Sequence, residues 1–81
     1  MAALVLAVHR RNGGTLEALD WSARLLAPEL GLDSLDLAEI MAGVERAFGV
    51  EPFAGERPPE TWGEVLEMVV EAASRRSGEA G

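Results

Sequence analysis

The stretch that decides the fold is SLDLAEIMAGVERAF, which runs from Ser34 to Phe48. Its apolar residues recur at helical spacing and fall on one stripe, while the opposite side is mostly polar. The stripe consists of Leu37, Ile40, Met41, Val44 and Phe48. This pattern predicts an amphipathic helix that buries the stripe in a core. At about 100° per residue, Leu35 falls on the opposite side and is expected to be exposed.

Two further helices are predicted on either side of this one. The first extends from Ala3 to Arg11, and cationic residues occupy its last turn, where the helix dipole favours them. The third begins at Thr61-Trp62-Gly63-Glu64, a sequence typical of a capping box with Thr61 as N-cap and Glu64 at the third helical position. Arg75 and Arg76 are expected to close its last turn.

The connections between these helices are unequal. The first, from Gly14 to Asp33, is too apolar for a solvated linker, so we expect it to pack on the core, with a short helical turn beginning near Asp20. The second, from Glu51 to Glu60, contains three prolines, which leave room only for a short or degenerate helix. The predicted class is all-α, a small bundle of three main helices. One domain over residues 1–76 and a flexible tail over 77–81 are expected.

Composition limits the classes of function. With 81 residues, 48% of them hydrophobic, the chain can build one modest core. It has no cysteine, which excludes disulfides and thiolate metal sites. A net charge of −7 disfavours nucleic acid and anionic membranes and favours protein partners with basic patches. Arg10 and Arg11 follow the apolar N-terminus, which is the reverse of the charge order in a secretory signal, so we expect a cytoplasmic protein. We also expect the protein to be a monomer.

The sequence shows no catalytic machinery. His9, the one histidine, is interpreted as a helix-end group interacting with the dipole. No carboxylates form an intelligible acid and base pair, and neither a glycine-rich phosphate loop nor metal-ligand spacing is present. We therefore expect a protein that is not an enzyme and binds no metal.

The distinctive motif is Leu30-Gly31-Leu32-Asp33-Ser34-Leu35-Asp36. Its polar residues stand at the start of the central helix, where Ser34 or Asp33 is expected to act as N-cap. A serine at this position is exposed, and the helix dipole stabilises an anion attached to it, such as a phosphodiester. Ser34 is thus the candidate modification site, and it is also expected to serve as a cap.

The region from Leu30 to Val50 resembles the phosphopantetheine attachment region of acyl carrier proteins, whose pattern is Leu-Gly-x-Asp-Ser-Leu followed by a helix. Upstream, Leu25-Leu26-Ala27-Pro28-Glu29 is similar to the family's approach to the motif. Downstream, Thr61-Trp62-Gly63-Glu64-Val65 resembles the start of its last helix. The resemblance extends in order over nearly the whole chain.

This resemblance implies a carrier. A phosphopantetheinyl transferase would catalyse attack of the Ser34 hydroxyl on coenzyme A and leave 4′-phosphopantetheine as a phosphodiester. The thiol of the arm would hold acyl groups as thioesters for acyl-loading and acyl-using enzymes with basic docking patches. The implied pathways are fatty-acid, polyketide or related lipid biosynthesis. The transferase would supply the activation, so the carrier itself needs no catalytic residue.

The resemblance also implies two residue sets. Partner recognition would involve Asp33, Leu35, Asp36, Glu39, Ala42 and Glu45. An acyl pocket would be lined by Ile40, Val44, Val65 and Val69, which are equally candidates for ordinary core residues. The chain departs from fatty-acid-synthesis carriers at Ala42, where a larger apolar residue is usual, and at Arg46, where an acid is usual. These departures favour a specialised carrier with a dedicated pathway.

Two alternatives stay open. An aminoacyl or peptidyl carrier shares the fold and the arm, although Asp33 and Asp36 around Ser34 favour the acyl type. A helical interaction module that keeps the fold but is never modified would use Leu35 and the acidic face for binding. In that case Ser34 would be only a cap.

Overall fold

The computed structural model describes residues 1–80, and the side chains of residues 1–75. Three α-helices build it: α1 (Ala2–Arg11), α2 (Ser34–Phe48) and α3 (Trp62–Ala80). Within the described chain, the one β-type pairing is an isolated bridge between Arg24 and Thr61. The predicted all-α class is therefore confirmed.

The helix bounds agree closely with the periodicity. The bounds of α2 are those predicted, and α1 begins one residue early, at Ala2. The third helix continues beyond Arg76 to Ala80, so the expectation that Arg75 and Arg76 close its last turn is wrong. The division into a domain over 1–76 and a flexible tail over 77–81 stays a prediction, because Gly81 lies outside the described residues and only the helical backbone of 77–80 is described.

The core forms where the three helices meet the first connection. From α2, Ile40, Met41 and Val44 are buried, as the stripe predicts, and Leu37 and Phe48 pack against them. Full burial of each large apolar side chain contributes about 1.5–3 kcal/mol before the entropy of ordering is counted. Members from the other elements include Val5, Leu19, Leu25, Leu30, Trp62, Val65 and Val69.

The first connection contains the turn predicted near Asp20 and a second turn that the periodicity does not predict. A single turn, which no helix continues, begins at Asp20: the N–H of Ala23 donates to the Asp20 carbonyl at 3.0 Å. The Asp20 carboxylate supports the turn by accepting hydrogen bonds from the backbone N–H of Ser22, at 2.9 Å, and from the Ser22 hydroxyl. The second turn is a 3₁₀ segment at Pro28–Leu30. A proline favours this start because its φ is preset and it has no N–H to leave unpaired.

Backbone hydrogen bonds tie this connection to the start of α3. The N–H of Leu25 donates to the carbonyl of Glu60 at 3.2 Å, and that of Trp62 donates to Ala23 at 3.2 Å. The predicted capping box is present. The N–H of Glu64 donates to the Thr61 hydroxyl at 3.2 Å, and the N–H of Thr61 donates to the Glu64 carboxylate at 3.3 Å. The expectation that the connection packs on the core is confirmed, although Leu16 and Leu26 remain exposed.

The second connection contains no helix. Within the segment, one backbone hydrogen bond joins Ala54 N–H to the Glu51 carbonyl at 3.1 Å, a single turn. A single turn therefore replaces the short helix, which is the degenerate case that the sequence predicted. Its prolines account for this, since they cannot donate the hydrogen bonds of a helix.

Candidate functional site

The N-terminus of α2 is capped by Asp33. Its carboxylate accepts the backbone N–H of Asp36 at 2.8 Å, while the Asp36 carboxylate accepts the backbone N–H of Asp33 at 3.2 Å. This reciprocal pair is a capping box. The expectation that Ser34 also serves as the cap is wrong, because Ser34 is the first helical residue, one position beyond the cap.

Ser34 is left free by this arrangement. Its side chain is exposed, and within the described residues its hydroxyl makes no hydrogen bond. The backbone N–H groups of Ser34 and Leu35 also have no acceptor in this part of the chain, as is usual for the first turn of a helix. Free N–H groups and the positive end of the dipole favour an anion. The site therefore fits a phosphodiester on the Ser34 oxygen.

The C-terminal end of α1 holds the backbone before Ser34. The Asn12 amide donates to the Gly31 carbonyl at 3.1 Å and to the Asp36 carboxylate at 2.7 Å. Gly31 itself closes the 3₁₀ turn with φ of +62°, a left-handed conformation that glycine adopts without a steric cost. Residues on both sides of Ser34 are thus hydrogen-bonded to α1.

His9 adds a third link, and its predicted role is wrong. The imidazole is buried; its Nδ1 lies 2.8 Å from the Leu30 carbonyl, and its Nε2 lies 3.0 Å from the backbone N–H of Leu16. A carbonyl only accepts and an N–H only donates, so the ring is neutral with its proton on Nδ1. Instead of interacting with the dipole as an exposed cation, His9 cross-links α1 to both ends of the first connection.

Two of the predicted recognition acids are occupied by Arg11, which sequence reasoning did not include. Its guanidinium binds both Glu39 oxygens, at 3.1 and 2.8 Å, and one Asp36 oxygen at 3.1 Å. The backbone N–H of Asp33, followed by the side chains of Asn12 and Arg11, lowers the pKa of the Asp36 carboxyl. Asp36 is therefore a charged structural link between α1 and α2.

This link predicts a defined pH dependence for Asp36→Asn. Because the folded-state pKa of Asp36 lies below its unfolded value, the contribution of the carboxylate is complete above that unfolded pKa, about 3.9, and is lost as the pH falls through the folded pKa. We expect wild type to unfold at a higher temperature than the variant at pH 7. The difference should shrink below about pH 4.

Thermal unfolding of both proteins between pH 7 and pH 3 checks this expectation. Glu45→Gln is the matched control, because the Glu45 carboxylate makes no hydrogen bond or ion pair within the described residues. Its difference from wild type should stay near zero throughout. A stability loss in Asp36→Asn that persists unchanged at pH 3 would contradict the proposed link.

The other predicted recognition residues lie on the outer side of α2. Leu35 is 80% exposed, as predicted. Ala42 and Glu45 border an open groove between α2 and the second connection, and Phe53 forms part of its opposite wall. The structure thus presents an exposed leucine near Ser34 and a shallow groove farther along the same helix.

The four predicted pocket residues lie together in the core. Ile40, Val44, Val65 and Val69 are all buried and belong to one cluster. Val69 also borders an open surface groove with Phe48 and Val70. The assignment of an acyl pocket to these residues stays a prediction.

The described residues contain neither a metal-binding cluster nor a membrane-spanning helix. In the part of the chain whose side chains are described, no three histidine, aspartate or glutamate residues are grouped so as to hold a metal ion. Among residues 1–80, no helix has the length and apolar character needed to cross a bilayer.

A protein-family model matches the part of the chain that contains the attachment motif. Residues 3–54, which are more than half of the chain and contain α2 and all but the first residue of α1, match the family model described as phosphopantetheine attachment site. No curated protein and no solved structure matches the chain. The matched segment contains the capped start of α2 and the free Ser34 hydroxyl. The chain therefore belongs to the phosphopantetheine attachment family of carrier domains, which bear 4′-phosphopantetheine as a covalent cofactor.

Proposed function

We propose that this protein is an acyl carrier protein that holds acyl groups as thioesters on a 4′-phosphopantetheine arm at Ser34. The observation that carries the proposal is the exposed Ser34 hydroxyl, which makes no hydrogen bond within the described residues and lies beside two backbone N–H groups that have no acceptor there, in a chain of the attachment family. When attached, the arm supplies the thiol that the cysteine-free chain lacks.

The residues around Ser34 indicate which steps of the attachment reaction the transferase has to supply. The Asp33 and Asp36 carboxylates are committed to the capping box and face backbone N–H groups, so neither is placed to deprotonate Ser34. The transferase must therefore take the hydroxyl proton while the Ser34 oxygen bonds to phosphorus and the nucleotide part of coenzyme A leaves. The carrier contributes presentation and a favourable electrostatic setting, and is not itself a catalyst.

The acyl class is proposed over the aminoacyl or peptidyl class because of the acids at 33 and 36, which are typical of acyl carriers. We further propose a cytoplasmic monomer that serves fatty-acid, polyketide or related lipid biosynthesis. Its partners would be enzymes with docking patches around their active-site entrances. Ala42 and Arg46 on the outer side of α2 support a specialised pathway, and efficient elongation by an ordinary fatty-acid ketosynthase would contradict that part.

Shelter for the acyl chain is proposed between α2 and α3. Ile40 and Val44 of α2 belong to the same core cluster as Val65 and Val69 of α3, and all four are apolar and buried. The groove beside Val69 and Phe48 is an opening through which a chain tip could reach them. Such a chain would have to separate the two helices, because the residues are now in contact with one another in the core.

Mass spectrometry after incubation with coenzyme A and a broad-specificity phosphopantetheinyl transferase tests the proposal. The chain has no lysine, so trypsin cuts only after arginine and releases residues 25–46 as one peptide. Ser34 is the only hydroxyl-bearing residue in that peptide. We expect the mass of one phosphopantetheine on this peptide and on no other.

Two outcomes would contradict the proposal. An unmodified but folded protein would favour the interaction module instead. A mass gain on residues 12–24, which contain Thr15 and Ser22, would move the attachment site away from Ser34. A reaction without coenzyme A provides the blank.

A further inference from the structure

Arg11 makes the two ion pairs found among the described side chains. Its Nη2 lies 3.1 Å from an Asp36 oxygen, and its Nη1 lies 2.8 Å from a Glu39 oxygen. Nη1 also reaches the second Glu39 oxygen, at 3.1 Å, so both oxygens of that carboxylate are engaged. The hydrogen bond to Glu39 is the main reason that the pKa of the Arg11 guanidinium is raised.

Burial separates the roles of the two acids. The Asp36 side chain is 14% exposed and already accepts hydrogen bonds from Asn12 and Asp33, so it has little left to offer a partner protein. The Glu39 side chain is 54% exposed, and Arg11 is its one partner in the described chain. Glu39 is therefore an acid that a partner is able to reach but that an internal cation already holds.

The internal contact is of the same kind as the contact that a basic partner would make. One guanidinium nitrogen, Nη1, reaches both oxygens of Glu39 while Nη2 binds Asp36, and such charge-assisted hydrogen bonds are also those by which an arginine of a partner would bind an acid. An incoming arginine or lysine must displace Arg11 or share Glu39 with it, and it also meets the positive charge of Arg11. Exposed ion pairs are weak, so the competition is worth only a factor of about two to five in affinity.

We propose that Arg11 is a specificity-determining residue that acts as the internal counterion of Glu39 and withholds this acid from basic docking partners. The inference rests on the proposed carrier function and deepens it. The carrier then favours enzymes that bind Leu35 and the free acid Glu45 without requiring a cation at Glu39. Arg11 belongs to α1, so the selection is made by a residue outside the helix that partners would contact.

Steady-state kinetics of phosphopantetheinylation by the same broad-specificity transferase test this inference. We expect Arg11→Gln to lower the KM for the carrier about two- to fivefold with kcat unchanged, because Glu39 becomes available. Arg10→Gln is the matched control: it changes the net charge equally, but among the described residues the Arg10 side chain is hydrogen-bonded to the Leu16 carbonyl alone, at 3.4 Å, and pairs with no acid. Its KM should stay close to that of wild type.

Glu39→Gln identifies the acid responsible. In the Arg11→Gln background, Glu39→Gln should raise the KM back to about the wild-type value. A merely structural effect of losing Arg11 would persist in this double variant, because Arg11 is still missing. Arg11→Lys should restore most of the wild-type KM. Melting temperatures of all variants, recorded alongside, show that each is folded at the assay temperature.

The outcomes are distinct. Equal KM values for Arg11→Gln and Arg10→Gln would overturn the inference while leaving the carrier function intact. A gain that survives Glu39→Gln would overturn it as well, because the released acid would not be Glu39. Failure of every folded variant to be modified would overturn the carrier function and the inference with it.

Discussion

Replacing Ser34 with alanine is expected to abolish phosphopantetheinylation completely while leaving the protein folded. Among the residues whose side chains the structure describes, no other hydroxyl stands at the start of a helix beside free backbone N–H groups: Ser22 donates to Asp20, and Thr61 caps α3. Loss of the Ser34 oxygen removes the only proposed nucleophile. Intact-mass spectrometry after incubation with coenzyme A and the transferase should show one added group in wild type and none in Ser34→Ala.

Ser34→Ala should remove the attachment site without unfolding the protein, so a loss of modification is due to the missing hydroxyl. Because Asp33 is the cap and the Ser34 hydroxyl makes no hydrogen bond in the described residues, Ser34→Ala should change the free energy of unfolding by no more than about 0.5 kcal/mol. Asp33→Ala, by comparison, removes the cap and should cost about 1 kcal/mol. Full modification of Ser34→Ala, or its unfolding, would contradict this account.

Ser22→Ala is the matched control for the modification. Ser22 is also an exposed serine, but its hydroxyl is bound to the Asp20 carboxylate within a turn. The variant should be modified at the wild-type rate. A loss of modification here equal to that in Ser34→Ala would show that the assay responds to any serine removal.

The largest expected loss of stability comes from Gly14→Ala. A Cβ on Gly14 would overlap the imidazole ring of His9. The ring cannot move aside, because it is buried and hydrogen-bonded to the Leu30 carbonyl and the Leu16 N–H. Overpacking of this kind costs about 2–3 kcal/mol. For a domain of this size that corresponds to a melting temperature lower by roughly 10–20 °C.

Gly55→Ala is the control for this substitution. Gly55 lies in the second connection, and a Cβ there would meet no atom within 4 Å. The same chemical change should therefore leave the melting temperature nearly unaltered. Chemical denaturation of both variants measures the difference, and a Gly14→Ala protein as stable as Gly55→Ala would show that His9 is not held as described.

Much of the fold was predictable because its signals are local. The bounds of α2 and the exposure of Leu35 follow from a single helical period over fifteen residues. The capping box of α3 follows from the spacing of Thr61 and Glu64. The turn at Asp20 was predictable for the same reason, whereas the 3₁₀ segment at Pro28–Leu30 is too short to produce a helical period.

The candidate site was predictable only in part. Ser34 is marked by the motif around it, but the choice between Ser34 and Asp33 as cap depends on backbone angles that either residue tolerates. The acids of α2 were assigned to partners as one set. Nothing in their spacing shows that Asp36 and Glu39 are engaged and that Glu45 is free.

The sequence by itself determined the three helices, the position of Ser34 at the start of α2 and the acidity of the chain. These properties depend on composition and on residues a few positions apart. Only the tertiary structure decided what His9 and Arg11 do. Their partners lie up to 28 residues away along the chain, and they meet because α1 packs beside α2. No periodicity relates such residues, so their contacts exist only once the chain is folded.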